Sequence, residues 1–157
     1  MNRRTLLARA GALFGLASLG RPATAAAETF EFTLTAAEWR ARLSSAAFAV
    51  LREEGTEPPG SSPLDKEYRA GTYHCAGCDL AVYSSEHKFD SGTGWPSFWL
   101  ALPDAVRNRA DWGILGRRTE EHCRRCGGHL GHVFNDGPPP TGKRHCINGV
   151  ALTFKAA

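Results

Sequence analysis

The sequence predicts a mainly β domain, an antiparallel sheet with a short helical N-terminal lead-in, and three observations lead there. After Gly71 the β-branched and aromatic residues fall in short runs separated by turn residues: Thr72–Cys75, Leu80–Tyr83, Trp112–Leu115, His129–Phe134, Lys143–Asn148 and Val150–Phe154. The intervals between runs leave no room for successive crossover helices, so neighbouring strands are expected to run antiparallel. Two Cys-x-x-Cys knuckles, Cys75–Cys78 and Cys123–Cys126, lie at the ends of such runs with 44 residues between them, a spacing that ties distant turns together. At 157 residues and 42% hydrophobic content, the chain can bury the core of one domain.

Residues 1–27 differ in kind from the rest: basic at the front, apolar from Leu6 to Leu19, then small residues ending Ala25-Ala26-Ala27. They have the form of an export signal, and the apolar part is too short and Gly-broken to remain as a membrane span. Arg3-Arg4 before Thr5-Leu6-Leu7 has the twin-arginine form, which an ordinary secretory signal can also present. The expectation is a signal over 1–27, a functional domain over 28–157 and an exported, periplasmic product with no membrane attachment once the signal is gone. Four of the 19 basic residues and none of the 16 acidic ones lie in the signal, which leaves 15 against 16 and a formal charge of −1. That balance argues against a nucleic-acid partner, which would need a clustered basic excess. The short pairs Arg117-Arg118 and Arg124-Arg125 read as solvated faces.

Thr35-Ala36-Ala37-Glu38 has the form of a capping box and opens a helical pattern in which Trp39, Leu43, Phe48 and Leu51 line an apolar stripe, broken near Ser44-Ser45 and stopped by Gly55. A Pro/Gly/Ser loop follows from Thr56 to Pro63. The four knuckle cysteines suit a tetrahedral structural zinc site, since two intervening residues let one turn present both sulfurs at about 2.3 Å from one ion. Export also permits disulfides, and a Cys-x-x-Cys can be a redox pair, so the spacing alone leaves all three readings open.

The stretch from Gly127 to Gly149, GGHLGHVFNDGPPPTGKRHCING, gathers the chemistry. Asn135-Asp136-Gly137 and three prolines force a reversal, so the flanking runs His129–Phe134 and Lys143–Asn148 are predicted to be neighbouring strands. Period-two alternation places Arg144, Cys146 and Asn148 on one face, and His145 and Ile147 on the other. His129 and His132, three apart, fall on opposite faces unless a bulge near Gly131 intervenes. Local context leaves Cys146 open between a small buried hydrophobe and a reactive thiol. If the knuckles hold a metal, Cys146 is the fifth and odd cysteine, a flag for reactivity in an exported chain.

Six strings in order, GTEPP at Gly55–Pro59, the knuckle Cys75–Cys78, FDSGTGWPSF at Phe89–Phe98, the knuckle Cys123–Cys126, HLGHVFNDGP at His129–Pro138 and RHCIN at Arg144–Asn148, make the chain resemble the B-type peptide methionine-R-sulfoxide reductases over roughly residues 35–155. The resemblance implies a mainly β fold and one structural zinc on Cys75, Cys78, Cys123 and Cys126. It also implies reduction of the R epimer of methionine sulfoxide in oxidised proteins or peptides; a monomer is expected, with a thioredoxin-like or other thiol as reductant. By the same similarity Cys146 is the nucleophile, His129, His132 and Asn148 are active-site polar groups, and Trp95 forms the apolar wall for the substrate methyl. The chemistry agrees: a sulfoxide sulfur becomes electrophilic when its oxygen is protonated or hydrogen-bonded, so a thiolate and proton donors are needed together. Arg144 is the nearest candidate, by position, for lowering the pKa of the thiol. Three departures stand out. Thr93 occupies the position of the usual resolving cysteine, His145 replaces an aromatic residue, and Gly149 stands where Ser is common. His74, His87, His122 and His145 are expected to be surface or structural residues. Another reading is a zinc-stabilised β binding module without catalysis, in which Cys146 is structural.

Overall fold

The computed structural model describes residues 28–113 and 116–157; the expected signal, residues 1–27, lies outside the described residues. Thr35 caps α1 (Ala36–Arg42): its hydroxyl accepts from the Glu38 amide at 3.3 Å, and the Glu38 carboxylate accepts from the Thr35 amide at 2.8 Å. The single helical stretch read from the sequence is two helices. Leu43 is extended, and Ser44 caps α2 (Ser45–Glu53) by accepting from the Ala47 amide. The left-handed residue that ends α2 is Glu54, with φ 57°, and not Gly55. Gly55 is still required, because a Cβ there would stand 2.9 Å from the Ala49 carbonyl oxygen that its amide donates to. Trp39, Phe48 and Leu51 are buried and Leu43 is half-buried, as the stripe predicts.

Among the described residues nine strands follow: β1 (Gly71–Cys75), β2 (Ala81–Ser84), β3 (Lys88–Phe89), β4 (Ser97–Phe98), β5 (Val106–Gly113), β6 (Gly116–Cys123), β7 (His129–Phe134), β8 (Arg144–Ile147) and β9 (Leu152–Ala156). They form two antiparallel sheets, of order β2-β1-β9 and β3-β4-β8-β7-β6-β5. Of the expected run at Trp112–Leu115, Trp112 and Gly113 end the long strand β5 and residues 114 and 115 lie outside the described residues; the strand paired with β5, β6, reads Gly-Arg-Arg-Thr-Glu-Glu-His-Cys. Its charges find cross-strand partners, which offsets the poor β propensity of such a sequence. The last run begins late, because Gly149–Ala151 form a 3-10 turn before β9. Among the described residues no helix is long and apolar enough to cross a membrane.

The sheets meet through aromatic rings: Phe98 stacks on Tyr83 with centroids 4.3 Å apart and meets Tyr73 edge-on at 4.9 Å. α2 packs against β7 and the 3-10 turn. Inside this core lies a polar triad. Glu121, fully buried, accepts from the Tyr83 hydroxyl and lies 2.6 Å from Nδ1 of His145. Removing one member strands the others without water. Glu121→Ala is therefore expected to cost about 3–5 kcal/mol of stability, and Glu121→Leu combined with His145→Phe to recover most of it. Thermal unfolding checks this, and a loss under about 1 kcal/mol in the single variant would sink the idea.

Candidate active site and thiol cluster

β8 is an interior strand, paired with β4 on one edge and β7 on the other, so its residues alternate between two faces of the larger sheet. His145 and Ile147 enter the core, while Arg144 and Cys146 stand on the outer face. Directly across the ladder from Cys146 are Ser97 on β4 and His132 on β7. Asn148, just past β8, is buried, and its amide joins two other segments: Oδ1 accepts from the Glu57 amide at 2.9 Å, and Nδ2 donates to the Leu130 carbonyl at 3.0 Å. The Trp95 indole N–H donates to the Glu57 carbonyl at 3.0 Å. Cys146, His132, Asn148 and Trp95, with Thr56, Arg118, Gly131 and Phe134, line a pocket of about 160 Å³, the size for one side chain rather than a large ligand.

A bulge settles where the two histidines point. β6 pairs Glu121 with Gly131 but His122 with His129, so Leu130 is the extra residue on β7. The bulge returns His129 to the face of His132, and the two rings meet edge-on with centroids 5.4 Å apart. At the bulge the backbones approach so closely that a Cβ on residue 131 would lie 2.1 Å from the Cys146 carbonyl oxygen, which requires Gly131. Each ring has a carboxylate. His132 Nε2 lies 2.8 Å from Asp111, itself held by Arg118 at 2.6 Å; His129 Nδ1 lies 2.8 Å from Glu120, itself bound by Arg109. His129 stands behind His132, 3% exposed, and its Nε2 has no partner among the described residues. Burial pushes the His132 imidazole below its ordinary pKa, against the opposing pull of Asp111.

Cys146 is half-buried, and burial pushes its thiol above the ordinary value. The Arg144 guanidinium and the Thr93 hydroxyl both pull it down, yet desolvation wins. Arg144 is divided between tasks: it forks onto Asp136 at 2.8 and 2.9 Å and lies over the Phe134 ring. Thr93 belongs to a hydroxyl row with Ser91 at 2.8 Å, which in turn reaches Ser97 at 2.7 Å.

The other four cysteines are gathered elsewhere. Cys75 ends β1, Cys123 ends β6, and Cys78 and Cys126 lie in the turns that follow. Their sulfurs lie within 4.8 Å of one another, with Cys75–Cys126 at 3.7 Å and Cys78–Cys123 at 3.5 Å. Those separations exclude disulfide bonds, which need about 2.05 Å, and fit a tetrahedron of thiolates around one metal at about 2.3 Å, whose edges are about 3.8 Å. The donor set is compatible with a zinc site. Three arginines donate to the knuckle carbonyls: Arg42 to Gly77 at 2.7 Å, Arg52 to Cys126 at 3.0 Å and Arg125 to Cys78 at 3.1 Å. Arg125 and Arg118 are thus not simple solvated charges, as their short pairs suggested: one braces a knuckle and the other lines the pocket.

Residues 43–156 match the SelR domain family. The chain belongs to that family. It is 54% identical over 119 residues to the peptide methionine sulfoxide reductase MsrB of Thioalkalivibrio sulfidiphilus, covering 75% of this chain and 87% of that one. It is 52% identical over 122 residues to the enzyme of the same name from Pseudomonas putida, covering 77% and 92%. It is 46% identical over 153 residues to the mitochondrial methionine-R-sulfoxide reductase B2 of Homo sapiens, covering 92% and 81%.

In this SelR domain, sequence reasoning overlooked the residues that hold the site from behind. Glu57, in the GTEPP string, was given no role. Its buried carboxylate accepts from the amides of Gly149 and Val150 (2.9 Å for the second), while its own amide and carbonyl bind Asn148 and Trp95. Asp111, Arg118 and Glu120 come from the charged hairpin, and only an isolated Glu or Asp in a run of alternating charge could have pointed to them. His74, His87, His122 and His145 stay out of the pocket; His122 is buried beside Glu28 at 3.1 Å.

Proposed function

We propose that this chain reduces the R epimer of methionine sulfoxide in proteins or peptides, with Cys146 as nucleophile. The observation that carries the reading is that Cys146 shares a side-chain-sized pocket with an indole wall, Trp95, and with a carboxylate-backed imidazole, His132. The sulfoxide methyl rests on the apolar Trp95 surface, and the oxygen faces His132. The Cys146 sulfur attacks the sulfoxide sulfur as its own proton and the His132 donor neutralise the developing charge on oxygen. The lowered pKa of His132 makes its protonated form the stronger acid. In balance, a thiol and a sulfoxide become a sulfenic acid on Cys146 and a thioether, two electrons passing from the cysteine sulfur to the methionine sulfur. Asn148 and His129 are positioning residues, one pinning the Glu57 and Leu130 segments and the other packed against His132. The test is turnover of stereochemically pure methionine sulfoxides with dithiothreitol: the R epimer is expected to be consumed and the S epimer left. Use of neither would leave the binding-module reading standing, and equal use of both would overturn the assignment to the R epimer.

Regeneration follows from the count of thiols. With four sulfurs committed to the metal cluster and Thr93 beside the nucleophile, no internal thiol stands ready to condense with the sulfenic acid. An external thiol, such as a thioredoxin-like protein, attacks it directly and a second thiol completes the release as a disulfide and water. Without reductant, about one methionine per chain is expected, with a sulfenic-acid trap on Cys146. Thr93→Cys should instead give a disulfide to Cys146, detectable by peptide mapping. A wild-type disulfide from Cys146 to a knuckle cysteine would overturn this account.

One zinc ion held by Cys75, Cys78, Cys123 and Cys126 would supply folding free energy and no chemistry at Cys146. Residues 1–27 would direct export of the loaded, folded chain through the twin-arginine route to the periplasm, where the monomer acts. Replacing Arg3 and Arg4 by Lys is expected to hold the precursor in the cytoplasm; unchanged processing would mean an ordinary secretory signal.

A further inference from the structure

A second concavity adjoins the active-site pocket, and the two open side by side. This groove, of about 880 Å³, is lined by Ala49, Val50, Leu64, Val150, Leu152 and Phe154 among others. Thr56, which is exposed, lines both hollows and so stands on the ridge between them. The two backbone segments that leave the pocket run straight into the groove: Asn148 lines the first and Gly149-Val150 the second, and Thr56 leads on to Glu57-Pro58. Glu57 ties these segments together, its carboxylate taking the Gly149 and Val150 amides and its amide meeting Asn148. The ridge is therefore fixed before anything binds, and a preformed surface loses little entropy on binding. At the far end Glu67 and Arg69 pair at 2.6 Å, and the Glu57 carboxylate is buried and taken up by two backbone amides, so neither presents a free charge to apolar side chains.

We propose that this groove binds the apolar residues flanking the oxidised methionine on one side of a polypeptide substrate. The inference rests on the reductase reading above. A polypeptide substrate continues beyond its methionine, but the 160 Å³ pocket admits only the side chain, so the flanks must lie on adjoining surface. Methionine is a core-filling residue, and its sulfoxide disrupts the packing around it. A methionine sulfoxide that reaches this site therefore comes from a segment whose apolar neighbours have also lost their burial. A rigid apolar trough beside the pocket gives those neighbours a place out of water. The substrate class is thus the loosened apolar segment of an oxidised protein, in preference to a polar loop or the free amino acid.

The experiment compares the full chain on three R-sulfoxide substrates: N-acetyl-methionine sulfoxide, a peptide with leucines on one flank, and its counterpart with serines there, with the leucines placed on each side in turn. One leucine peptide is expected to show kcat/KM about tenfold above the serine peptide, carried mainly by KM. Ala46→Glu, on an exposed position of α2 that lines the groove, and Thr153→Glu, on exposed β9, should each erase that preference. Both should leave turnover of the acetylated amino acid unchanged. Equal kcat/KM for leucine and serine peptides, or an equal fall on all three substrates in both variants, would overturn the groove while leaving the reductase reading intact. No turnover of any substrate by the wild-type chain would overturn both.

Discussion

Cys146→Ser is expected to abolish reductase turnover, a loss on the order of 10⁴-fold or more, while leaving the metal and the fold in place. A serine hydroxyl presents the same shape to Ser97 and His132 across the ladder, but it cannot transfer two electrons to the sulfoxide, so no partial route remains. Metal content and thermal unfolding matching the wild type would make the variant a clean test; residual turnover within about tenfold would exclude Cys146 as nucleophile. The pH dependence of the thiol gives a second readout. Because burial raises its pKa, the free protein should react with iodoacetamide more slowly at pH 7 than an exposed cysteine does, and gain rate only as pH passes above the ordinary thiol range. Arg144→Met should push that midpoint higher still, since the guanidinium lowers the pKa. A midpoint that falls in the variant would contradict the assignment. In the proposed reaction, a resting thiol would carry into the pocket the proton that the sulfoxide oxygen takes up.

Cys75→Ser is expected to prevent stable folding rather than to slow the enzyme. The four thiols tie the end of β1 in the smaller sheet to the end of β6 in the larger one, and a structural zinc of this type is worth about 10–16 kcal/mol, as much as or more than the net stability of a typical domain, about 5–15 kcal/mol. The interlocked rings of Tyr73, Tyr83 and Phe98 would remain, but their pair contacts, about 0.5–1.5 kcal/mol each beyond area burial, do not replace a contribution of the metal's size. The variant should lack metal and show no cooperative thermal transition, and a chelator should do the same to the wild type. Elemental analysis without zinc in the freshly folded wild type, or a transition within a few degrees of wild type in Cys75→Ser, would overturn the expectation.

Much of the site could be read from the sequence because its signals are local. The bounds of β7, the pairing of β7 with β8, the side of β8 that carries Cys146, and the cap at Thr35 all follow from turn chemistry and period-two alternation among neighbouring residues. The charged hairpin β5–β6 was largely missed, because its strands are held by pairs such as Asp111 with Arg118 and Arg109 with Glu120 that only the fold brings into contact. The same distance hid the carboxylate partners of His129 and His132. The bulge at Leu130 was foreseen only as a condition, since nothing local distinguishes an extra residue from a regular one. Glu57 was hidden for another reason: each of its four contacts has a backbone group on one side, which any sequence would supply.

The separation of sulfurs within the fold has a consequence for how the protein would meet an oxidant. Cys75, Cys78, Cys123 and Cys126 are between 0 and 4% exposed, whereas Cys146 opens into a pocket. A peroxide meeting this protein therefore encounters one sulfur and is shut out from four. With Cys146 as the nucleophile, as proposed, the oxidised form of the accessible one would lie on the catalytic cycle and be returned by thiols; the shielded ones, if oxidised, would release the clasp between the sheets. On that reading, damage is steered by depth toward the one cysteine whose oxidation the protein survives, and Cys146 would guard the four buried ones.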